Sequence, residues 1–294
     1  IEPGHWTYGV SYFKEHLTLD HLIATYKKPM VSLINGVVMG GGAGLSMVTK
    51  FRVVTEKAVF AMPEASIGHF PDVGSSYFLS RLPGFFGEYI GLTGARLDGA
   101  EMEACGLATH FVPSVKLKSL ENALQAINSP NVSTITALIQ TFAEKAYVKE
   151  NKTLNKCFLK GLVEEIIQSL EHELQNGAEK WITNALSSMR SSCPTSLKIF
   201  LKSIRKGRVQ SIDQCLCRDY NITCHLVRRT FGNDLYEGSR AKLIDKDNKP
   251  KWEPSKLELV KEEIVDQYFE DVNDDEWECL RFPDRSNSQI VSRL

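Results

Sequence analysis

Several signatures are missing from this chain. Its seven cysteines (Cys105, Cys157, Cys193, Cys215, Cys217, Cys224 and Cys279) form no CxxC pair, and the closest two, Cys215 and Cys217, have one residue between them. An odd number in a chain of 294 residues favours reduced thiols over a disulfide framework or a zinc site. HExxH is absent, so no metal centre is expected. GxSxG is also absent, which makes a Ser-His-Asp hydrolase a poor fit. There is no apolar run of 18 residues, so no membrane span is expected. The formal net charge is -1 and no basic stripe occurs, which argues against a nucleic-acid partner. No internal repeat or low-complexity segment is visible. The first residue is Ile1 rather than Met, and an N-terminal portion is expected to precede it.

What is present is 43% hydrophobic residues, enough for a substantial core. Residues 1–28 read as mostly helical, with Leu17, Leu22, Ile23 and Tyr26 at roughly helical spacing. Short apolar strands follow at Met30 to Asn35, Phe51 to Thr55 and Ala58 to Ala61, separated by the small-residue helix start at Gly40 to Thr49. A turn at Pro63 to Ile67, a helix at Ser75 to Arg81, a turn and helix over Leu92 to Gly106, and a strand at Leu107 to Val112 complete the front half. Beyond Lys116 the periodicity becomes helical: Leu117 to Ile127, Val132 to Tyr147, Cys157 to Leu174, Glu179 to Met189, a helix opened by Pro194, and Ser211 to Thr230. The fold class is therefore α/β, with strand-strand-helix units over residues 1–118 and a helical region over residues 119–294.

The chemistry concentrates in residues 28–83. Gly40-Gly41-Gly42 lies between two apolar runs. Glycine lets a ligand approach the backbone, and amides opening a helix point outward with a favourable dipole. Such an amide can hold a carbonyl oxygen that gains charge under attack, a contribution of roughly 3 kcal/mol per donor. Glu64 and Asp72 each follow a proline in a mostly apolar setting. Burial there raises a carboxyl pKa and suits it to act as base or nucleophile. His69 lies between them in sequence and is read as structural.

The segments MGGGAGLS (Met39 to Ser46), FAMPEASIGHFPDVG (Phe60 to Gly74), LTGARLDGAEMEACGLATHFV (Leu92 to Val112) and NDLYEGSRAKLIDKDNKPKW (Asn233 to Trp252) resemble the crotonase superfamily of acyl-CoA enzymes. Within it they are most similar to the 3-hydroxyisobutyryl-CoA hydrolases, plant members in particular. The resemblance implies a crotonase-like spiral of repeated ββα units with a helical C-terminal region, and thioester hydrolysis in valine breakdown. It implies Glu64 and Asp72 as catalytic, Gly41 as the oxyanion-hole amide, and Gly40, Gly41, Glu64, Asp72, His16 and Glu15 around the substrate. An acyl-CoA is the implied partner; coenzyme A is part of the substrate and no separate cofactor is implied. Hydratases of the superfamily carry a first glutamate where this chain has Gly44, and a glycine where it has Asp72, so the pattern follows the hydrolase branch.

The resemblance also marks departures. Family members carry strands and a Cys-Ala-Gly-Gly-Asp type segment ahead of the region that starts here at Ile1, supplying a second oxyanion amide; the N-terminal part of the core is expected to be missing from this sequence. His16 stands where the family places a substrate-contacting glutamate, with Glu15 adjacent. A catalytically silent binding or assembly subunit is the alternative reading, and a hydratase or isomerase a weaker one. The last residues, Ser292-Arg293-Leu294, are a variant of the Ser-Lys-Leu address. They imply a peroxisomal location and an import receptor as partner, with mitochondrion or cytoplasm as alternatives.

Overall fold

In the computed structural model, the described residues are 5–128, 131–145, 152–177, 179–275 and 277–283. The Ser292-Arg293-Leu294 address lies outside them. Helix α1 (Trp6–Ala24) is followed by β1 (Val31–Ile34), β2 (Val37–Met39) and α2 (Gly41–Met47). The same order recurs in β3 (Phe51–Val54), β4 (Val59–Ala61), a 3-10 turn (Glu64–Ile67) and α3 (Ser75–Phe78). In each unit the first strand joins one sheet and the second strand joins another. The first sheet has the order β1-β3-β6, all parallel, with β6 at His110–Phe111. The second has the order β2-β4-β5, with β5 (Leu97–Asp98) antiparallel to β4. This is the expected spiral of ββα units.

The third unit is less regular. Helix α4 (Phe86–Thr93) stops at Gly94, whose φ of 61° suits glycine. The short β5 was not visible as a strand in the sequence, because two residues show no alternation. Asp98 then opens α5 (Gly99–Ala104) with a reciprocal capping box: its carboxylate accepts from the Glu101 amide while the Glu101 carboxylate accepts from its own.

The helical region comprises α6 (Ser114–Gln125), α7 (Val132–Phe142), α8 (Lys152–Phe158), α9 (Val163–Gln175), α10 (Lys180–Ser191), α11 (Pro194–Gly207), α12 (Ile212–Arg228), α13 (Asp234–Ser239) and α14 (Glu262–Gln267). Two predicted helices differ. The Cys157 to Leu174 stretch is not one helix, because the chain breaks at Gly161 and Leu162. Their amides donate to the Glu165 carboxylate and so start α9 afresh. The helix expected to reach Tyr147 ends at Phe142, and Glu144 instead donates its amide to the Phe111 carbonyl beside β6.

One apolar cluster joins the two regions, running from Val10 and Leu17 of α1 through Phe60, Phe70 and Ile90 to Phe200, Leu216 and Leu280. A smaller cluster packs Phe51, Val53 and Val112 against Leu120, Ile135 and Ile139. Helix α1 lies against α12, and α3 against α11. Distant helices therefore wall the loops at the strand ends.

Candidate active site

Strand register sets the site. In the parallel pair β2-β4, Met39 sits opposite Ala61. Gly40 and the Met62-Pro63-Glu64 turn thus emerge from neighbouring strands at the same C-terminal edge, the usual place for ligands on parallel sheets. Gly40 has φ 50° and ψ -128°, a conformation for which a side chain is poorly suited. A Cβ built on it would stand 3.5 Å from Glu64 Oε1. The carboxylate of Glu64 is therefore aimed at the glycine turn.

Gly41 opens α2, so its amide is one of those without an intrahelical acceptor. A Cβ on Gly41 would lie 2.7 Å from the His16 imidazole. The absence of a side chain at 41 is what lets α1 bring His16 over the turn. Burial lowers the His16 pKa, with the Gly41 backbone opposing the shift. Of the two α1 candidates, His16 faces the site and Glu15 is exposed to solvent.

Asp72 follows Pro71 in a tight loop. Val73 at φ 50° and Gly74 at φ 75° both take the left-handed conformation there, and the Ser75 hydroxyl donates to the Pro71 carbonyl. The loop is clamped from α12: Asp219 Oδ2 accepts the Gly74 amide at 2.8 Å. His69 is buried, stacked on Phe70 and Phe13, with Nδ1 2.7 Å from the Phe70 carbonyl. Nδ1 therefore carries the proton. Burial lowers the His69 pKa to about 4, so this ring is a neutral structural wedge at ordinary pH.

The carboxyl groups are strongly perturbed. Glu64, 8% exposed, is raised well above the usual carboxylate range by burial and then by the charge of Asp72. Burial lifts Asp72 to about 7. Two further acids belong to the cluster and were not singled out in the sequence. Asp219, fully buried, is raised to about 7 by burial, Arg218 opposing and Asp72 adding to the shift. Asp20 is also fully buried and is raised to about 8 by burial, then by Asp72 and Asp219. Its two oxygens would stand 2.9 and 3.1 Å from a Cβ on Gly44. A signal for Asp20 did exist: it lies on the buried face of α1 with Val10 and Leu17, where an unpaired acid is out of place.

The arrangement joins a helix-opening amide, a buried carboxyl group aimed at the same turn, and a second one beside it. Such a set holds a carbonyl oxygen while a carboxylate attacks the carbonyl carbon or draws a proton from water. Among the described residues no cluster of His, Cys, Asp and Glu could hold a metal ion. A cavity of about 300 Å³ is lined by Gly68, at the end of the Glu64–Ile67 turn, with Cys193, Phe231, Asp234 and Tyr268, and is not lined by Glu64 or Asp72.

These features define an acyl-CoA enzyme of the crotonase type. Residues 2–269 match the enoyl-CoA hydratase/isomerase family model, and the chain belongs to that family. It is 51% identical to an Arabidopsis thaliana protein named probable 3-hydroxyisobutyryl-CoA hydrolase 2, over 98% of this chain and 78% of that protein. It is 40% identical to the Arabidopsis thaliana small ribosomal subunit protein mS47, over 92% of this chain and 67% of that protein. Among solved structures it resembles a carnitinyl-CoA dehydratase from Mycobacterium thermoresistibile, with a TM-score of 0.82 and 32% identity over 93% of this chain and 76% of that one.

Proposed function

We propose that this chain hydrolyses an acyl-CoA thioester, with 3-hydroxyisobutyryl-CoA as substrate and 3-hydroxyisobutyrate and coenzyme A as products, a step of valine breakdown. The observation that carries the reading is the aim of Glu64 Oε1 at the Gly40 turn, with Asp72 beside it. The Arabidopsis relative named for this hydrolysis supports the substrate.

In this reading the Gly41 amide donates to the thioester oxygen and stabilises the charge that develops on it. Glu64, once ionised, attacks the carbonyl carbon to form an anhydride, or takes a proton from water that attacks instead. The C–S bond breaks and the sulfur leaves, taking up a proton to become the thiol; in the anhydride route water then cleaves the anhydride, releasing the acid and freeing Glu64. Asp72 holds the 3-hydroxyl group or assists proton transfer. Gly44 provides no second acid of the hydratase kind, and this favours hydrolysis over hydration. Coenzyme A enters as part of the substrate, and the mechanism calls on no metal. The Ser292-Arg293-Leu294 address supports import into peroxisomes through a receptor that reads the C-terminus.

The test is thiol release from 3-hydroxyisobutyryl-CoA by the wild-type protein and by Glu64→Gln. Loss of about 10²-fold or more in the variant is expected; an unchanged rate refutes the role given to Glu64. A second reading, a non-catalytic assembly component, is favoured by the similarity to a ribosomal subunit protein. Calorimetry with coenzyme A separates the two, since binding without turnover supports the second.

A further inference from the structure

The mechanism leaves two groups of the site without a task. His16 and Asp20 are one helical turn apart on α1, with His16 Nε2 3.5 Å from Asp20 Oδ2. Asp20 is sealed: its side chain is 0% exposed, and neither oxygen has a hydrogen-bond partner among the described residues. The His16 side chain is 16% exposed and lies over Gly41. The two therefore span the distance from the buried carboxyl groups to the surface of the site.

The groups facing the pair are few. Asp72 from the loop and Asp219 from α12 bear on Asp20. Helix α2 presents the bare Gly44. Tyr12 on α1 lies with its ring centroid 5.9 Å from that of His16. Arg218, the cation that acts on Asp219, donates to the Ser76 and Ser203 hydroxyls. Among the described residues, His16 is the basic side chain placed against Asp20, so a proton shared with His16 is what neutralises it. Burial favours its acid form, and burial lowers His16, favouring the neutral ring. One proton held between a neutral carboxylic acid and a neutral imidazole satisfies both.

We propose that His16 and Asp20 form a proton-transfer pair that carries the proton released by thioester hydrolysis from the buried carboxyl cluster to solvent. The proposal rests on the hydrolase reading for its purpose. Water supplies the oxygen bonded to the acyl carbon, and one of its protons leaves on the thiol. The product acid ionises at neutral pH, so one net proton per turnover must leave a site walled by buried acids. Retained, it would protonate Glu64 and stop the next cycle. Asp20 is the buried member of the pair, facing Asp72 and Asp219, and His16 is the member that reaches the surface of the site.

Two measurements test the pair. First, His16→Ala is expected to lower kcat by about 10²-fold, and added imidazole is expected to restore much of the loss; a merely structural role would not respond to imidazole. An unchanged kcat, or no rescue in a folded variant, overturns the proposal. Second, the ¹³C carboxyl resonance of Asp20 is titrated in the resting protein. In wild type it is expected to titrate together with His16, and His16→Gln is expected to move its midpoint by about one pH unit. An unmoved midpoint overturns the pair whether or not the enzyme turns over. Failure of the hydrolase reading shows separately, as absence of thiol release from wild-type protein.

Discussion

The Asp20 carboxyl group fills the space into which a Gly44 side chain would project: a Cβ there would meet Asp20 Oδ2 at 2.9 Å and Val73 Cβ at 2.6 Å. The hydratase-like glutamate at this position is thus not merely absent; its place is taken. Gly44→Glu is expected to destabilise the protein by about 1–3 kcal/mol through overpacking and to yield no hydration of crotonyl-CoA. Denaturant melts and an absorbance assay for the enoyl group check this. Crotonyl-CoA hydration by the variant, with unchanged stability, would show that the site accommodates the second acid.

Glu64 and Asp72 should separate in their effects. Glu64→Gln removes the attacking or proton-accepting oxygen and is expected to lower kcat by about 10²-fold or more. Asp72→Asn keeps the size of the side chain but loses the charged acceptor for a 3-hydroxyl group, so a mainly positioning role predicts a larger change in KM than in kcat. Steady-state kinetics with 3-hydroxyisobutyryl-CoA and with the unsubstituted isobutyryl-CoA distinguishes the roles. If Asp72→Asn affects both substrates equally, Asp72 does not read the hydroxyl.

The acid limb of the rate profile should be displaced upward. Glu64 acts as base or nucleophile only when ionised, and burial together with Asp72 raises its pKa well above the usual range. The value of kcat/KM is therefore expected to go on climbing with pH beyond the usual glutamate range rather than to level off near pH 5. A stopped-time thiol assay from pH 5 to 9 measures the limb, which belongs to the coupled acids as a set. A plateau already reached at the ordinary glutamate pKa would contradict the buried cluster.

Stability should run the other way. Asp20 and Asp72 have folded pKa values of about 8 and about 7, above the unfolded value of 3.8. The folded state binds more protons than the unfolded state between pH 4 and 8, so these groups make unfolding easier as pH rises through that window. Asp20→Asn, which remains uncharged, is expected to flatten the dependence. Urea midpoints at pH 5 and pH 8 decide it; equal slopes for wild type and variant would show that Asp20 ionises freely in the fold.

Removal of Ser292-Arg293-Leu294 is expected to shift a fluorescent fusion, tagged at the other end, from peroxisomes to another compartment. Identical images with and without the tripeptide would show that the address is not read.

The central part of the site was legible because its residues are near neighbours in the chain. The glycine turn, Glu64 and Asp72 fall within one stretch, and their local companions, prolines and further glycines, announce tight turns. Asp219 was not legible as a site residue, and Asp20 was marked only as an acid on the apolar face of α1. Each looks like one acid on an amphipathic helix, and only the packing of α1 on α12 around the loop turns both inward. The break at Gly161 was missed for a related reason: the apolar periodicity runs on across it, and only the Glu165 carboxylate capping two amides reveals a new helix.

By itself the order of residues determined the alternation of short strands and small-residue helices, the helical character of the rest, and the local pairing of a glycine turn with two acids. Those depend on periodicity and turn chemistry, which act over a few residues. Tertiary structure alone decided that four acids share one apolar enclosure, that His16 rather than Glu15 faces it, and that Asp20 occupies the room left by Gly44. Desolvation and charge repulsion depend on which distant elements close over a group, and no local pattern records that.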